Sequence, residues 1–228
     1  MKRQLRSLDK RDFILTGKLS KVIWSISAPL MLSNLIQTVY NLTDSMFITL
    51  INPLAVGAVS FLFPIIYNNM DVAICFSVAA MSLIAQYTGA GRHDKAKTCA
   101  VQLVILSFIL CALLIILNYA FGPMLAGMLG LNGEMYEYGM DYFMIIIWEI
   151  PFIFLMNIYS AVRQGQGDTV SPMIYSVISV ILNIILDPIF MFVFDMGLQG
   201  AAVATILARA AVSIPEVITL ANTQTGIR

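Results

Sequence analysis

Six apolar segments, each long enough to cross a lipid bilayer as a helix, constrain this chain more than any other feature. The hydrocarbon core of a membrane is about 30 Å thick, and a helix needs roughly 20 apolar residues to cross it. The segments are predicted at about 22–50, 54–86, 97–120, 136–160, 172–194 and 199–220. Charged residues make up 11% of the 228 positions, against roughly 25% in ordinary globular domains. The sequence therefore predicts an all-α, multi-pass membrane protein.

The distribution of Lys and Arg predicts how these helices are oriented. Seven of the 13 basic residues lie in the first 21 positions, and the first, third and fifth connections contain none. Most of the others lie in the second and fourth connections and at the last residue: Arg92, Lys95, Lys97, Arg163 and Arg228. Because connections rich in Lys and Arg stay in the cytoplasm, both termini are predicted to be cytoplasmic and the protein to lie in the cytoplasmic membrane.

This pattern divides the chain into three parts. Residues 1–21 form a basic cytoplasmic segment, residues 22–220 a transmembrane region of six helices, and residues 221–228 a short cytoplasmic tail. We expect that tail to be a truncated end.

Polar side chains inside the predicted spans are the candidates for function, since such groups are costly in lipid. At a rise of about 1.5 Å per residue, Asp44, Asp187 and Thr205 all fall in the outer half of the membrane, on three different spans. Asn183 lies four residues before Asp187 and shares its helix face. These four side chains predict an oxygen-rich pocket that suits a proton or a hard cation such as Na⁺.

Two further features lie near this pocket. Pro188 has no N–H to bond the carbonyl of Ile184, so that oxygen is free to turn toward the pocket. Tyr40 and Tyr142 are candidates for lining a cavity. The alternative is that all these polar groups only hydrogen-bond neighbouring helices.

Three more ionisable residues have no assigned role at this stage. Arg209 is the only basic residue within a predicted span, and Asp71 and Glu149 lie at a depth where Arg209 can neutralise one of them. The sequence does not decide which.

Enzyme chemistry is not predicted. The single histidine, His93, lies in a basic connection, which leaves no Ser-His or metal-His arrangement within the spans. The stretch "GAGRHDK" lacks the spacing of a phosphate-binding loop. We therefore predict no enzyme activity, no cofactor and no nucleic-acid partner.

Five stretches, taken in order, resemble the N-terminal lobe of the multidrug and toxic compound extrusion (MATE) transporters. They are "APLMLSNLIQTVYNLTDSMFI" (28–48), "AQYTGAGRHDKAK" (85–97), "RQGQGDTVSPM" (163–173), "LNIILDPIF" (182–190) and "GLQGAAVAT" (197–205). The resemblance runs from about Leu19 to Arg209.

This resemblance implies secondary antiport, in which inward movement of Na⁺ or H⁺ drives export of organic, often cationic, compounds. It implies a cation site formed by Asp44, Asn183, Asp187 and Thr205. It also implies that Tyr40, Tyr142 and Asn157 line the cavity, and that the first helix bends at Pro29.

Family members have about twelve spans in two lobes, so the implied partners are the bilayer, organic cations or drugs, and a second lobe or a second copy of the chain. Two alternatives to the antiporter stay open. One is a flippase for lipid-linked precursors, and the other is a non-transporting fragment whose polar contacts are structural.

Overall fold

The computed structural model describes residues 16–51 and 53–222. Within them, six helices are long and apolar enough to cross a membrane: Leu19–Leu50, Val56–Gly89, His93–Met128, Glu134–Gly165, Val170–Val193 and Gly197–Leu220. The prediction of an all-α chain with six spans is confirmed. Most of the predicted basic segment, residues 1–15, and most of the tail, residues 223–228, lie outside the described residues.

Seven α-helices build these six spans. They are α1 (Leu19–Ile51), α2 (Pro53–Gly89), α3 (His93–Met128), α4 (Glu134–Ile146), α5 (Ile150–Gly165), α6 (Val170–Pro188) and α7 (Gly197–Asn222). A 3₁₀ turn, Ile147–Glu149, joins α4 to α5 in the fourth span, and a π turn, Ile189–Val193, extends α6 in the fifth.

The helices are longer, and the connections shorter, than the sequence predicted. The third helix was expected to end near residue 120 but continues through Pro123 to Met128. A proline in a helix removes one backbone hydrogen bond, and here packing keeps the helix intact, because Gly122 lies directly against the ring of Phe143. The connection predicted at 88–97 shrinks to residues 90–92, where Gly91 has a φ of +71° that glycine adopts without strain.

Small residues form the helix crossings in the interior. The helix α2 packs against α5, α6 packs against α7, and α1 packs against α6. Alanines such as Ala58, Ala73, Ala161 and Ala204 are buried in this interior, and small side chains let backbones approach closely. Other large apolar side chains, such as that of Ile109, are exposed on the outside, which suits a surface that faces lipid.

Hydrogen bonds that side chains make to neighbouring helices fix the relative height of some helices. Asn69 of α2 and Asn118 of α3 exchange two amide hydrogen bonds, of 3.2 and 2.9 Å. Ser77 of α2 donates to the backbone oxygen of Asn157 in α5 at 3.0 Å. Such bonds contribute about 0.6 kcal/mol on average between membrane helices, and they also set which residues face each other.

The corner between α6 and α7 is tightly packed. The backbone N–H of Phe194 donates to the oxygen of Ile189 five residues back, which defines the π turn. Gly200, at the start of α7, lies against this turn, and a Cβ atom there would come within 2.7 Å of the backbone carbonyl of Phe190. Because the carbon and the oxygen of this carbonyl are both backbone atoms, which cannot move aside as a flexible side chain can, only glycine fits at this crossing.

We predict that Gly200→Ala destabilises the protein by about 1–3 kcal/mol, the range for overpacking a well-packed interior. The matched control is Gly127→Ala in α3, where an added Cβ has no atom within 4 Å. That change should be neutral or slightly stabilising, since alanine favours a helix over glycine by about 1 kcal/mol. Thermal unfolding of the purified chains in detergent, followed by circular dichroism, measures both. Equal melting temperatures for the two variants would contradict the crowded corner.

A candidate cation site between α1, α6 and α7

A continuous set of polar side chains connects three helices in the interior. The amide nitrogen Nδ2 of Asn183 donates to Oδ1 of Asp187 at 3.0 Å and to Oγ1 of Thr205 at 3.2 Å. The hydroxyl of Thr205 in turn shares a hydrogen bond with the phenol of Tyr40, at 3.3 Å. Asn183, Asp187 and Thr205 are all buried. One amide group therefore joins α6 to α7, and one hydroxyl joins α7 to α1.

Several oxygen atoms at this site have no hydrogen-bond donor. They are Oδ1 of Asp44, Oδ1 of Asn183 and Oδ2 of Asp187, each without solvent contact. The carboxylates of Asp44 and Asp187 are close enough to interact electrostatically. Buried polar atoms are normally paired, so three unpaired acceptors in one place mark a position where a donor or a cation fits.

Local helix geometry places these oxygens together. Asn183 and Asp187 are one turn apart on the buried face of α6, and the helix changes to the π turn directly after Pro188. Proline cannot supply the backbone donor that an α-helix would use there, which favours the change in pitch. The turn brings α7 back against α6, so that Thr205 faces Asn183.

A buried ion pair lies beside the site. Arg209 of α7 pairs with Glu149, and both side chains are largely buried. Glu149 belongs to the 3₁₀ turn that precedes Pro151, where the missing N–H of the proline prevents an ordinary α-helical bond. The sequence left open whether Arg209 neutralises Asp71 or Glu149. The structure pairs it with Glu149, while Asp71 lies exposed on α2.

A cavity of about 40 Å³ extends from the site along α6 and α7. Its wall includes Asn183, Thr205, Tyr40 and Arg209, together with side chains that the sequence analysis did not single out: Gln37, Met156, Ser176, Ser179, Val180 and Ala208. The spacing of Ser176, Ser179, Asn183 and Asp187 at one helical period was the signal that could have revealed this polar face. The volume suffices for a few water molecules.

The other predicted site residues lie at varying distances from this cavity. Tyr142 is buried and interacts electrostatically with Asp44 and Asp187, so it lies beside the carboxylates, though not in the cavity wall. Asn157 does not contribute to the cavity wall, and its amide donates to the oxygen of Ile153 in its own helix. Pro29 lies within a continuous α1, where the hydroxyl of Ser33 donates to its carbonyl at 3.0 Å.

The candidate ligand atoms of this site are the side-chain oxygens of carboxylate, amide and hydroxyl groups. Within residues 16–51 and 53–222 there is no group of three or more His, Cys, Asp or Glu side chains of the kind that holds a transition metal. Two carboxylates, one amide and one hydroxyl form a set that suits a proton or a monovalent hard cation.

Comparison with known proteins gives one consistent result. A family model described as MatE matches residues 29–189. The multidrug export protein MepA of Staphylococcus aureus is 28% identical over 195 residues, which cover 85% of this chain and 43% of that protein. The FAD transporter of Shewanella oneidensis is 28% identical over 202 residues, covering 87% of this chain and 45% of the relative. The chain thus spans about half the length of the curated relatives it matches.

Solved structures agree in fold and in extent. A multidrug resistance MATE family transporter of the MOP superfamily, in its outward-facing conformation, has a TM-score of 0.85 and 31% identity over 91% of this chain and 46% of its own. A MOP superfamily transporter from Pyrococcus furiosus, described as having a binding pocket of reverse polarity, has a TM-score of 0.86 over similar shares. With the family model matching well over half of its residues, this chain belongs to the MATE family and corresponds to one six-helix lobe of its transporters.

Proposed function

We propose that this chain is the cation-coupling lobe of a secondary antiporter, in which Na⁺ or H⁺ moving inward drives efflux of organic compounds. The observation that carries the proposal is the set of unpaired, buried oxygens on Asp44, Asn183 and Asp187. Ionised carboxylates in an apolar interior are costly unless a positive charge accompanies them. The nearest guanidinium, that of Arg209, is already paired with Glu149.

The two aspartates therefore need a positive charge from outside the chain. A proton can neutralise either carboxylate. A sodium ion can bind between them and use the oxygens of Asn183 and Thr205 as further ligands. Both cations compete for the same carboxylates. If the site binds a cation while it faces outward and releases it while it faces inward, the flow of cations is coupled to the change of conformation.

The exported compound is proposed from the family and from the surface of the lobe. The relatives carry names for different cargoes, multidrug export in one case and FAD in another. This difference suits a scaffold in which the cation site is constant and the cargo surface varies. We infer organic compounds as cargo, often cationic, because Asp71 is exposed on α2 and no Lys or Arg occurs between residues 22 and 91.

The same absence of basic residues disfavours the flippase alternative. A cavity for a polyanionic lipid head group needs several positive charges. The exposed faces of α1 and α2 offer none between those positions, and Arg209 is used by Glu149.

We also propose that a second lobe, in the same protein or in a second copy, covers one face of α1. Four polar side chains of α1 are exposed at helical spacing: Asn34, Thr38, Asn41 and Ser45. The neighbouring exposed face is apolar and includes Leu35, Leu42 and Met46. Lipid suits the second face, while the polar stripe suits a water-filled path between two lobes.

Orientation and location complete the proposal. The basic connection between α2 and α3 and the end of α5 with Arg163 lie at one end of the lobe. By the preference of basic residues for the cytoplasm, this end is cytoplasmic, and the protein crosses the cytoplasmic membrane.

Asp187→Asn should abolish cation binding at the site that it forms with Asp44, and with it coupled efflux. Breaking a buried charge interaction costs about 3–5 kcal/mol, which corresponds to a loss of affinity of more than about 100-fold. Isothermal titration of the purified chain in detergent, with pH and sodium varied independently, measures binding. Sodium affinity should fall as the pH falls, because protons compete for Asp44 and Asp187. Asp94→Asn, at an exposed position in the first turn of α3, is the matched control.

The transport half of the same test uses membrane vesicles with an imposed sodium or proton gradient. Efflux of a fluorescent organic cation should require Asp187 and tolerate Asp94→Asn. If Asp187→Asn reaches the membrane and exports at the normal rate, the coupling role is wrong. If the unaltered chain binds neither cation under any condition, the structural reading of its polar groups is the better one.

Asn41→Cys should react with a membrane-impermeant maleimide faster than Leu42→Cys does. Both positions are exposed in α1, yet only the first lies on the polar stripe that we assign to a water-filled path. The comparison uses a background in which Cys75, Cys99 and Cys111 are replaced by serine, since all three are free thiols. Equal labelling rates in intact membranes would place both positions in one environment and contradict the proposed face.

A further inference from the structure

Glu216 of α7 is a buried carboxylate that takes no part in the cation site. Its side chain is 1% exposed, and its Oε2 atom has no hydrogen-bond partner. Within the part of the chain that the structure describes, no Lys, Arg or His side chain forms an ion pair with it. A carboxylate without a counter-charge or a donor is rare in a protein interior, and this one is close to the basic end of the lobe.

Helical spacing places Glu216 on the same face as the cation site. Thr205, Arg209, Ser213 and Glu216 follow one another at intervals of four, four and three residues along α7. Ser213 is fully buried, and its hydroxyl donates to the backbone oxygen of Ala210 at 3.2 Å, which leaves its lone pairs free to accept. From Thr205 to Glu216 the distance along the helix axis is about 16 Å.

A second row of polar groups runs beside this one on α6 and α5. The cavity that starts at Asn183 continues past Ser179 to Ser176. Tyr175, the neighbour of Ser176 in the chain, packs edge-to-face on Tyr159 of α5, with ring centroids 5.3 Å apart. The carboxylate of Glu216 acts electrostatically on Tyr159. Polar groups therefore extend from the cation site to Glu216 along two adjoining helices.

The charged and titratable groups around Glu216 leave its charge uncompensated. Tyr159 of α5, with Tyr175 of α6 packed against its ring, is a phenol and supplies no positive charge. The guanidinium of Arg163 lies over the ring of Tyr159, 5.4 Å from its centroid. Towards the cation site, Arg209 is neutralised by Glu149 of the turn between α4 and α5. The described lysines of the α1 end, Lys18 and Lys21, are exposed.

A proton is the ligand that this environment favours. Hard cations such as Na⁺ collect several oxygen ligands, and the surroundings of Glu216 supply one carboxylate and few other free oxygens. We propose that Glu216 is a second proton-binding group, which receives the proton that leaves the Asp187 site and passes it to water at the basic end of the lobe. In this step the carboxylate takes up one proton to become a carboxylic acid. It then releases one proton and returns to the carboxylate.

This inference rests on the proposed function, with H⁺ as the coupling ion. It adds a site that the resemblance to the family did not suggest, at a position that the sequence analysis overlooked. The overlooked signal was the spacing of Glu216 from Thr205, which is three helical turns on the buried face.

Infrared spectroscopy of the full chain in lipid tests proton binding at Glu216 directly. The C=O stretch of a protonated carboxylic acid is separate from that of an ionised one. Protonated Asp44 or Asp187 also contributes to this band, so we expect one component of it to vary with pH, to disappear in Glu216→Gln and to persist in Asp187→Asn. Glu137→Gln, at an exposed position of α4, is the control and should leave the band unchanged. Glu216→Asp should show a band at a shifted position. This shift tests the assignment even if Glu216→Gln does not fold.

A kinetic measurement tests the transfer role. After a pH jump, proton release to a pH-sensitive dye at the basic end should be at least about tenfold slower in Glu216→Gln, because a positioned proton-transfer group contributes at least that much. The Asp variant should recover much of the rate. A merely structural role for Glu216 would not produce this recovery together with the band.

Three results would overturn the inference. One is a protonated-carboxyl band that is the same in Glu216→Gln and in the unaltered chain at every pH, and another is proton release that is equally fast with and without Glu216. The third is removal of the Glu216 band by sodium at constant pH in Asp187→Asn, which would make the group a sodium ligand. Failure of the proposed cation site would be seen separately, as equal cation binding by Asp187→Asn and the unaltered chain in the titration. Both of these proteins keep the carboxyl of Glu216, so that result does not depend on the role of Glu216.

Discussion

Neutralisation of charge inside an apolar medium is the constraint on which the rest of this lobe depends. The basic side chain in the wall of the cavity at this site is that of Arg209, and it is paired with Glu149. With that cation occupied, Asp44 and Asp187 have no basic side chain paired with them among the described residues. Under the proposed function, the lobe separates two kinds of buried charge, one balanced by an ion pair within the lobe and one balanced by an exchangeable ion. A second buried cation at the site would make an incoming cation unnecessary.

The irregular turns explain how the helices bring these groups together. The 3₁₀ turn before Pro151 directs Glu149 toward α7, and the π turn after Pro188 brings α7 back against α6. In both places proline denies the helix an ordinary backbone bond, and the local pitch changes instead of the helix ending. Gly200 then allows a close backbone approach, at the corner where α7 begins.

Much of this arrangement could be predicted from the sequence, because it depends on period and polarity. Six apolar runs give six spans, and polar residues on a shared helix face, such as Asn183 and Asp187, must lie together whatever the tertiary packing. The partner of Arg209 could not be chosen, since Asp71 and Glu149 have similar depths and only packing decides which one faces α7. The continuation of α3 past Pro123 could not be predicted either, because the fit of Gly122 to Phe143 is a tertiary contact. Asn157 has a polar side chain at a suitable depth, yet it bonds within its own helix.

The π turn at Ile189–Val193 also has a consequence for how such a chain can evolve. A π turn holds one residue more than an α-helical path of the same height, and each residue added to or removed from a helix rotates everything after it by about 100°. Deleting any one residue from this turn would let the helix continue as ordinary α-helix, and Thr205 would no longer face Asn183. The length of the turn is therefore constrained more strongly than the identity of its exposed side chains, such as Val193.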